Sequence, residues 1–254
     1  MTPLGTETGP KQYRGIHLSA RPGTQWAVLK QLQWAGVSGP VLDAPAGAGA
    51  ITQCLLDHGL EVVAGDLGGR EYLAQAPLLK LDLNKPAPFA DGSFAAVVCV
   101  EGLEHLESHW FTLREFHRVL RPGGVLVVAT PNPTAAWSRL RFLATGFVQG
   151  RRRPPVEFGK SPGAQHLNLV DFSLLRFMLR ATGFELCHYQ GLGIQWTAAW
   201  FYLLYPLFWP FNWRTYAKAK DPRQKAIHAE VARAMWSKDL VLGANYLVRA
   251  RRVG

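Results

Sequence analysis

Cysteine and acidic residues are scarce in this sequence of 254 residues. Three cysteines occur, Cys54, Cys99 and Cys187, and 18 Asp and Glu stand against 28 Lys and Arg. Because the cysteines are far apart and form no CxxC pair, the sequence shows neither a zinc-ligand spacing nor a disulfide framework, and a reducing compartment is expected. The net charge of +10 favours an anionic partner, such as nucleic acid, phospholipid or a phosphorylated substrate, without choosing among them.

A signal-peptide pattern and a long apolar run are also absent from the sequence. The first residues, MTPLGTETGPKQYRG, do not place basic residues ahead of an apolar run, as a signal peptide does. The apolar segment Trp196–Trp213 is shorter than the ~20 residues that span a bilayer, and Pro206 and Pro210 interrupt it. We therefore expect a cytoplasmic protein without a membrane-spanning helix.

Short apolar runs alternate with segments of helical periodicity. Runs without polar alternation predict strands that are buried on both faces, as in a parallel sheet covered by helices. Strands are predicted in PVLDA, EVVAGD, PLLKLDL, FAAVVCVE, GVLVVATP, FELCHYQ and LVLGANYLVRARR, and a first helix over about residues 25–35 with Thr24 as its N-cap. The alternation predicts a doubly wound α/β fold with a mostly parallel, seven-stranded sheet. We expect a single domain over residues 1–254, with an aromatic, helical insert at 193–236 before the last strand.

A turn with few side chains follows the first strand. Gly47 and Gly49 would let the backbone approach a ligand there, and the next helix offers free N–H groups at its start. In an open parallel sheet, ligands bind at the carboxyl ends of the strands, where Asp43 and Asp66 end the first two. An acid in the second position can accept both hydroxyls of a ribose. The pattern predicts a nucleotide-type ligand; packing of the turn alone, and Asp66 as a helix N-cap, are the alternatives.

The spacing excludes two common nucleotide motifs. Residues 45–50 read PAGAGA, which lacks the third glycine of GxGxxG. A P-loop needs GxxxxGK followed by Ser or Thr, and neither the lysine nor the hydroxyl follows here. A dinucleotide fingerprint and a P-loop are therefore both excluded.

Five segments resemble, in order, the motifs of the class I S-adenosyl-L-methionine (SAM) dependent methyltransferases. They are VLDAPAGAG, VVAGD, LDLN, DGSFAAVVCVEGLEHL and REFHRVLRPGGVLVVATPNP. The fourth resembles the ubiquinone-type and related small-molecule enzymes of that family, and the fifth is the most specific match of the set. The resemblance covers most of the chain, and it implies a Rossmann-like fold with SAM as the cofactor.

The resemblance also implies roles for individual residues. It places Asp43 on the amino group of the cofactor, directly or through water, and it places Asp66 on the ribose and Asp82 near the adenine amino group. The implied cofactor-binding residues are Asp43, Ala44, Pro45, Ala46, Gly47, Gly49, Asp66, Leu67, Asp82, Leu83 and Glu101. Pro45 departs from the family, which has glycine there, because proline has no N–H to donate and a φ fixed at about −65°.

Three side chains are candidates for the general base of a methyl transfer. Residues after the fourth strand line the active site in this family; Glu101 and His105 lie there, and His166 precedes a later helix. The segment lacks the [DN]PP[YF] motif of nitrogen-directed enzymes and the Pro-Cys nucleophile of cytosine C5 enzymes. A small-molecule oxygen, or a carbon, is therefore the expected acceptor atom. For each candidate, a core or surface role is the alternative.

A metal ion is not expected from the sequence. The zinc signature HExxH would need glutamate at position 106, where the sequence has Leu106. His105 and His109 would share a face if the segment were helical, but the sequence shows no third ligand. His105 is instead expected near the cofactor, as the family resemblance implies.

The segment Trp196–Trp213 is rich in aromatic residues. Tryptophan and tyrosine favour the headgroup level of membranes, and basic residues follow at Arg214, Lys218 and Lys220, with a further basic run at Arg151–Arg153. This composition is typical of peripheral contact at the inner face of the membrane, or of contact with a lipid-linked substrate. A lid, a homodimer interface and core packing are the alternatives.

These observations together predict a SAM-dependent methyltransferase that O-methylates a small or lipid-linked acceptor near the cytoplasmic face of the membrane. An RNA methyltransferase is an alternative that the net charge would suit. The basic residues form no recognisable RNA-binding module, however, so nucleic acid is not expected as a partner. The third possibility is a methyltransferase-like protein without catalytic activity. Pro45, in place of the family's glycine, is the feature that favours it.

Overall fold

The structure, a computed structural model, describes residues 11–68, 71–151, 154–158 and 165–254. The N-terminal residues read above for a signal peptide lie in part outside these ranges, as do two arginines of the basic run. A short hairpin of β1 (Gln12–Tyr13) and β2 (Ile16–His17) precedes the main sheet. The strands of that sheet are β3 (Val41–Asp43), β4 (Val62–Asp66), β5 (Leu78–Lys80), β6 (Phe94–Val100), β7 (Leu120–Pro131), β8 (Phe184–Ile194) and β9 (Gly243–Arg252).

The strands form one sheet in the order β5-β4-β3-β6-β7-β9-β8. Neighbours from β5 to β7 are parallel, whereas β9 is antiparallel to both β7 and β8. The chain moves outward from β3 through β4 and β5, and then returns to the other side of β3 as β6. This confirms the predicted α/β fold with a mostly parallel, seven-stranded sheet. It also places a crevice at the carboxyl ends of β3 and β6, where the strand order reverses.

Helices cover both faces of the sheet. The α-helices are α1 (Thr24–Trp34), α2 (Ala50–Asp57), α3 (His109–Val119), α4 (Ala136–Thr145), α5 (Phe172–Ala181), α6 (Tyr205–Tyr216), α7 (Pro222–Met235) and α8 (Lys238–Leu242). Short 3-10 helices lie at Leu103–His105 and Trp196–Leu204. The segment between β8 and β9 is therefore helical, as predicted. Within the described ranges, every helix is too short or too polar to cross a bilayer.

Two buried clusters lie on opposite faces of the sheet. Val41 of β3 packs in the cluster that α1 and α2 cover, whereas Leu42 packs in the cluster that α3 and α5 cover. Val97 and Val98 of β6 divide in the same way, because side chains alternate along a strand. This double burial explains why the strands lack polar alternation.

Several predicted boundaries are wrong, among them the starts of α1 and β9. Helix α1 begins at Thr24 itself, after Gly23 at φ 82°, and the Thr24 hydroxyl donates to the Arg21 carbonyl oxygen (2.7 Å) rather than capping the helix. Residues 240–242, predicted as strand, form the end of α8. The Ser237 side chain caps that helix by accepting a hydrogen bond from a backbone N–H of its first turn (3.3 Å).

Candidate functional site

A cavity of about 650 Å³ opens at the carboxyl ends of β3, β4 and β6. Most of the predicted site residues line it: Pro45, Ala46, Gly47, Asp66, Leu67, Asp82, Leu83, Glu101, His105 and His166. The topology brings these segments together because neighbouring parallel strands end at the same edge of a sheet. Three predicted residues do not belong to the described wall of the cavity, namely Asp43, Ala44 and Gly49.

The turn after β3 is held by backbone hydrogen bonds to β4. The Ala46 N–H donates to the Gly65 carbonyl oxygen (2.9 Å), and the Gly47 N–H donates to Oδ2 of Asp66 (2.8 Å). Gly47 has φ 57°, a conformation that favours glycine, and it lines the cavity. The Pro45 ring packs against Gly102, where an added Cβ would lie 2.5 Å from Pro45 Cδ. Pro45 therefore joins the β3 turn to the segment after β6.

Asp66 organises the end of β4. Its Oδ2 accepts from the Gly47 N–H and its Oδ1 accepts from the Gly68 N–H, both at 2.8 Å. Each carboxylate oxygen has two lone pairs, so Asp66 keeps acceptor capacity for a ligand in the cavity. This placement suits the ribose contact that the family resemblance implies, and that contact stays a prediction.

Asp82 and Leu83 lie at the side of the cavity nearest β5. The predicted third strand is shorter than expected and ends before them, so Asp82 lies in a turn. Its Oδ1 accepts from the Asn84 N–H (3.0 Å), and its Oδ2 lies 3.6 Å from Nζ of Lys85. Leu83 and Ile51 add apolar surface to the wall beside this carboxylate. Such a wall can hold a flat, largely apolar ring, and the predicted adenine contacts stay predictions.

Asp43 lies beneath the turn and is fully buried. Its Oδ2 accepts a hydrogen bond from the Thr52 hydroxyl of α2 (2.6 Å). Burial raises the pKa of Asp43 to about 7, more than the hydrogen bonds from Thr52 lower it. In the structure Asp43 ties β3 to α2, so the predicted contact with the amino group of the cofactor stays a prediction.

Gly49 and Ala44 serve the packing around the turn. Gly49 has φ 94°, and an added Cβ would lie 2.6 Å from the Ala74 Cβ and 2.9 Å from the Tyr72 ring. The backbone approach that Gly49 permits is therefore to the protein's own segment before β5. Ala44 is fully buried, and its N–H donates to the Val98 carbonyl oxygen (2.9 Å).

Glu101 and Glu104 bring two carboxylates together after β6. Glu101 has a left-handed φ of 51°, and its Oε1 accepts from Nδ2 of Asn245 on β9 (2.5 Å). Glu104 is fully buried, and its Oε2 accepts from the Thr130 hydroxyl on β7 (3.0 Å). Burial, and next the charge of Glu104, raise the pKa of Glu101 well above its ordinary value; burial also raises the pKa of Glu104. In both groups burial therefore favours the protonated form.

His105 and His166 meet at the cavity, although they lie far apart in sequence. Their rings pack edge to face with centroids 4.7 Å apart. The predicted alternative pair, His105 and His109, does not share a helix face, because the chain is extended at Leu106 before α3 begins. His109 Nε2 is 2.8 Å from the Leu103 carbonyl oxygen instead.

Sequence reasoning missed several residues of this site. Glu104 stands within the recognised segment EGLEHL, so its position in that motif was a usable signal. Asn245 and Thr130 reach the glutamates from β9 and β7, and no local pattern marks them. His17 at the end of β2 and Ser19 just after it also line the cavity, and this part of the sequence shows no motif.

Comparison with known proteins agrees with this geometry. Residues 42–128 match the family described as "Methyltransferase domain". A SAM-dependent methyltransferase from Archaeoglobus fulgidus has a similar solved structure, with a TM-score of 0.54, 16% identity, and coverage of 90% of this chain and 94% of that one. The predicted resemblance to methyltransferases is thus confirmed over residues 42–128, and the predicted fold is confirmed as well, whereas SAM as the cofactor stays a prediction.

Curated relatives carry names from quinone biosynthesis. A demethylmenaquinone methyltransferase from Beutenbergia cavernae is 37% identical over 115 residues, or 43% of this chain and 47% of the relative. A ubiquinone biosynthesis O-methyltransferase from Xanthomonas oryzae is 30% identical over 118 residues, or 42% and 49%. A ubiquinone/menaquinone biosynthesis C-methyltransferase from Legionella pneumophila is 29% identical over 177 residues, or 60% and 69%. The chain thus spans about half the length of the first two relatives.

Proposed function

We propose that the protein transfers the methyl group of SAM to a hydroxyl oxygen of a small or lipid-linked acceptor. The observation that carries this proposal is that the acidic residues lining the cavity lie on two opposite sides of the β3 turn. Asp66 and Asp82 lie on the β4 and β5 side of the β3 turn, whereas Glu101 follows β6 on the other side. SAM bound along the turn, with its adenosine toward the aspartates, would present its methyl group to Glu101 and the two histidines.

Glu101 is the proposed general base. In-line displacement at a sulfonium needs alignment of the acceptor, and a hydroxyl acceptor must also lose its proton. Glu101 lines the cavity, and Asn245 fixes its carboxylate, whereas Glu104 lies behind it. We propose that His105 and His166 position the acceptor beside this base.

The names of the relatives support a quinone precursor as the acceptor. One relative is named an O-methyltransferase, and Glu101 lies in the wall of the cavity, where a carboxylate would take the proton of a phenol. Carbon is the second candidate atom, since another relative is named a C-methyltransferase. On a phenolic acceptor the same base would remove the hydroxyl proton, and an adjacent ring carbon would bond to the methyl carbon while the S–CH₃ bond breaks. The proton on that ring carbon would then leave to the solvent, which restores the aromatic ring.

The test is transfer from trideuteromethyl-SAM to a panel of catechols and hydroquinones, with products identified by mass spectrometry. An O-methyl product is expected, and Glu101→Gln should lower kcat by ~100-fold or more because the base is lost. Glu71→Gln, which changes an exposed carboxylate, is the matched control and should leave kcat unchanged. A C-methyl product would favour the second candidate, and binding of SAM without transfer to any acceptor would contradict the proposal.

We also infer that the aromatic segment Trp196–Trp213 makes peripheral contact with the membrane, at its cytoplasmic face. Ala198 and Phe201 anchor the segment in a small cluster with residues of α8, and Phe208 packs against that cluster. Tyr202 and Leu204 also pack against it, whereas the other large apolar side chains are exposed: Trp196, Trp200, Leu203, Tyr205, Leu207, Trp209, Phe211 and Trp213. Exposed apolar side chains in this number are typical of an interaction surface.

A groove beside the exposed side chains supports a lipid-linked acceptor. It has a volume of about 1080 Å³ and lies between α6, α7 and β8. Aromatic side chains line it, among them Tyr189, Trp209 and Trp236, with Lys225 and Arg233 near its edge. An apolar chain would be held there by the rings, and an anionic headgroup by the basic side chains.

Flotation with liposomes tests the membrane contact. The wild-type chain should float, and the triple variant Leu203→Ser, Leu207→Ser and Phe211→Ser should not, because it removes exposed apolar area without touching the anchoring cluster. Trp34→Ser, on the exposed side of α1, is the matched control and should still float. A wild-type chain that never floats, but sediments as a dimer that the triple variant disrupts, would favour the homodimer interface instead.

A further inference from the structure

Glu104, His105 and His166 place one carboxylate and two imidazoles close together beside the cavity. One potential ligand atom of each lies within 4.8 Å of the others. Glu104 and His105 come from the 3-10 helix after β6, and His166 comes from the segment before α5. The tertiary fold assembles this group, and Glu101, the base proposed above, is not a member of it.

The hydrogen bonds of the two histidines select the tautomer that a metal ligand needs. His105 Nδ1 lies 2.9 Å from the Gln165 carbonyl oxygen, and His166 Nδ1 lies 2.9 Å from the Gly150 carbonyl oxygen. A carbonyl oxygen can only accept, so each Nδ1 carries a proton, and the neutral form of each ring then has its lone pair on Nε2. Histidines that bind metals are typically oriented by such a bond from the other ring nitrogen.

One oxygen of the Glu104 carboxylate accepts a hydrogen bond, and the other does not. The Thr130 hydroxyl donates to Oε2 (3.0 Å), whereas Oε1 is buried and has no hydrogen-bond donor among the described residues. The side chain is fully buried, and the neighbouring acid, Glu101, brings no positive charge to it. A buried carboxylate oxygen in this position is destabilising unless a cation balances it.

We propose that Glu104, His105 and His166 bind one divalent cation of the first transition row. Two imidazoles with one carboxylate suit Mn²⁺, Fe²⁺, Co²⁺ or Zn²⁺, whereas Mg²⁺ and Ca²⁺ prefer sites made of oxygen ligands. Three protein ligands leave coordination positions open, as in catalytic rather than structural metal sites. Because His105 and His166 line the cavity, those positions would face the acceptor.

The use of this cation rests on the proposed function. An acceptor hydroxyl bound to the cation has a lowered pKa, so its O–H bond breaks more readily and Glu101 takes the proton. The oxygen then bonds to the methyl carbon while the S–CH₃ bond breaks, and S-adenosylhomocysteine leaves as a neutral thioether. An acceptor with two adjacent oxygens, such as a catechol, would bind two open positions and is therefore the favoured class.

Titration of the full chain with Co²⁺, after treatment with a chelator and without SAM or acceptor, tests the site. We expect one equivalent to bind, with a visible absorption band that reports nitrogen and oxygen ligands. Glu104→Gln and His166→Asn should weaken binding by ~10-fold or more. Both variants keep hydrogen-bonding groups for Thr130 and Gly150, and circular dichroism should confirm that they fold.

A matched histidine variant provides the control for this titration. His188→Asn on β8 removes a half-buried imidazole that contacts the Trp34 ring, and it should leave Co²⁺ binding unchanged. Absence of Co²⁺ binding by the wild-type chain would overturn the proposal, and so would equal affinity in Glu104→Gln and His166→Asn. Because no methyl transfer is needed, a chain that binds Co²⁺ but methylates nothing would contradict the proposed function and leave the metal site intact.

Discussion

Three aspartates at neighbouring strand ends have the same chemistry but different surroundings. Asp66 and Asp82 line the cavity, where their oxygens accept from backbone N–H groups and keep further acceptor capacity. Asp43 is fully buried against Thr52, and burial favours its protonated form. Two of the carboxylates are thus available to a ligand, and the third connects β3 to the helix behind the turn.

The buried Asp43 makes stability depend on pH. Its pKa is about 7 in the folded chain against 3.8 ordinarily, so the folded chain keeps a proton that the unfolded chain releases. This carboxyl therefore destabilises the fold increasingly from about pH 4 to about pH 7, and constantly above that. Asp43→Asn removes the titration, so the free energy of unfolding of the variant should rise relative to wild type over this interval, by up to about 4 kcal/mol.

Urea unfolding at pH 5, 6, 7 and 8 measures this difference. Glu71→Gln replaces an exposed carboxylate and should keep the pH dependence of the wild type. A difference between Asp43→Asn and wild type that stays constant with pH would contradict the assignment.

The element that organises the site is the turn between β3 and α2, and its two glycines serve different neighbours. Gly47 lies at the cavity, with Ser19 Oγ 3.9 Å from the position of an added Cβ. Gly49 is the N-cap of α2 and lies against the segment before β5. Gly47 therefore faces the cavity, whereas Gly49 packs against the protein's own chain.

Gly49→Ala should destabilise the fold more than Gly146→Ala does. Both positions have positive φ, 94° and 72°, but an added Cβ at Gly49 would lie 2.6 Å from Ala74 Cβ, whereas Gly146 has open space around it. We expect a loss of about 3 kcal/mol at Gly49, from strain together with overpacking, and about 1 kcal/mol at Gly146 from strain alone. Chemical denaturation measures both, and equal losses would contradict the packing role of Gly49.

The sheet and the edge that carries the site could be predicted, because the strands are apolar runs that end in acids or in a glycine turn. The role of Gly49 could not, since a glycine that contacts a ligand and one that contacts Ala74 look alike in sequence. The contact of His105 with His166 depends on the path of the chain after α4, which local periodicity does not record. Glu104 is buried in the tertiary structure. Local sequence therefore does not identify it as a third partner of the two histidines.

At the scale of the whole molecule, charge and exposed apolar area coincide on one segment. The chain carries a net charge of +10, and Arg214, Lys218 and Lys220 are exposed next to the aromatic segment. Anionic lipid attracts such basic side chains, and salt weakens that attraction because the Debye length is about 10 Å at 0.1 M and about 3 Å at 1 M.

Binding to vesicles with anionic lipid should therefore weaken several-fold as NaCl rises from 0.1 M to 1 M, while a weaker, salt-independent binding to neutral vesicles persists through the aromatic side chains. Co-sedimentation with the two vesicle types measures both contributions. If the fraction of bound protein were the same for both vesicle types and at both salt concentrations, the basic residues would not face the membrane.

Calorimetric titration of the full chain with SAM tests the cavity beside the β3 turn most directly. One molecule of SAM should bind per chain, and Asp66→Asn should raise the Kd by ~10-fold or more, because it removes the charge that accepts ribose hydroxyls and one of the oxygens that hold Gly47 and Gly68. Glu71→Gln should bind SAM as the wild type does. A wild-type chain that releases no heat with SAM, or an unchanged Kd in Asp66→Asn, would contradict the account.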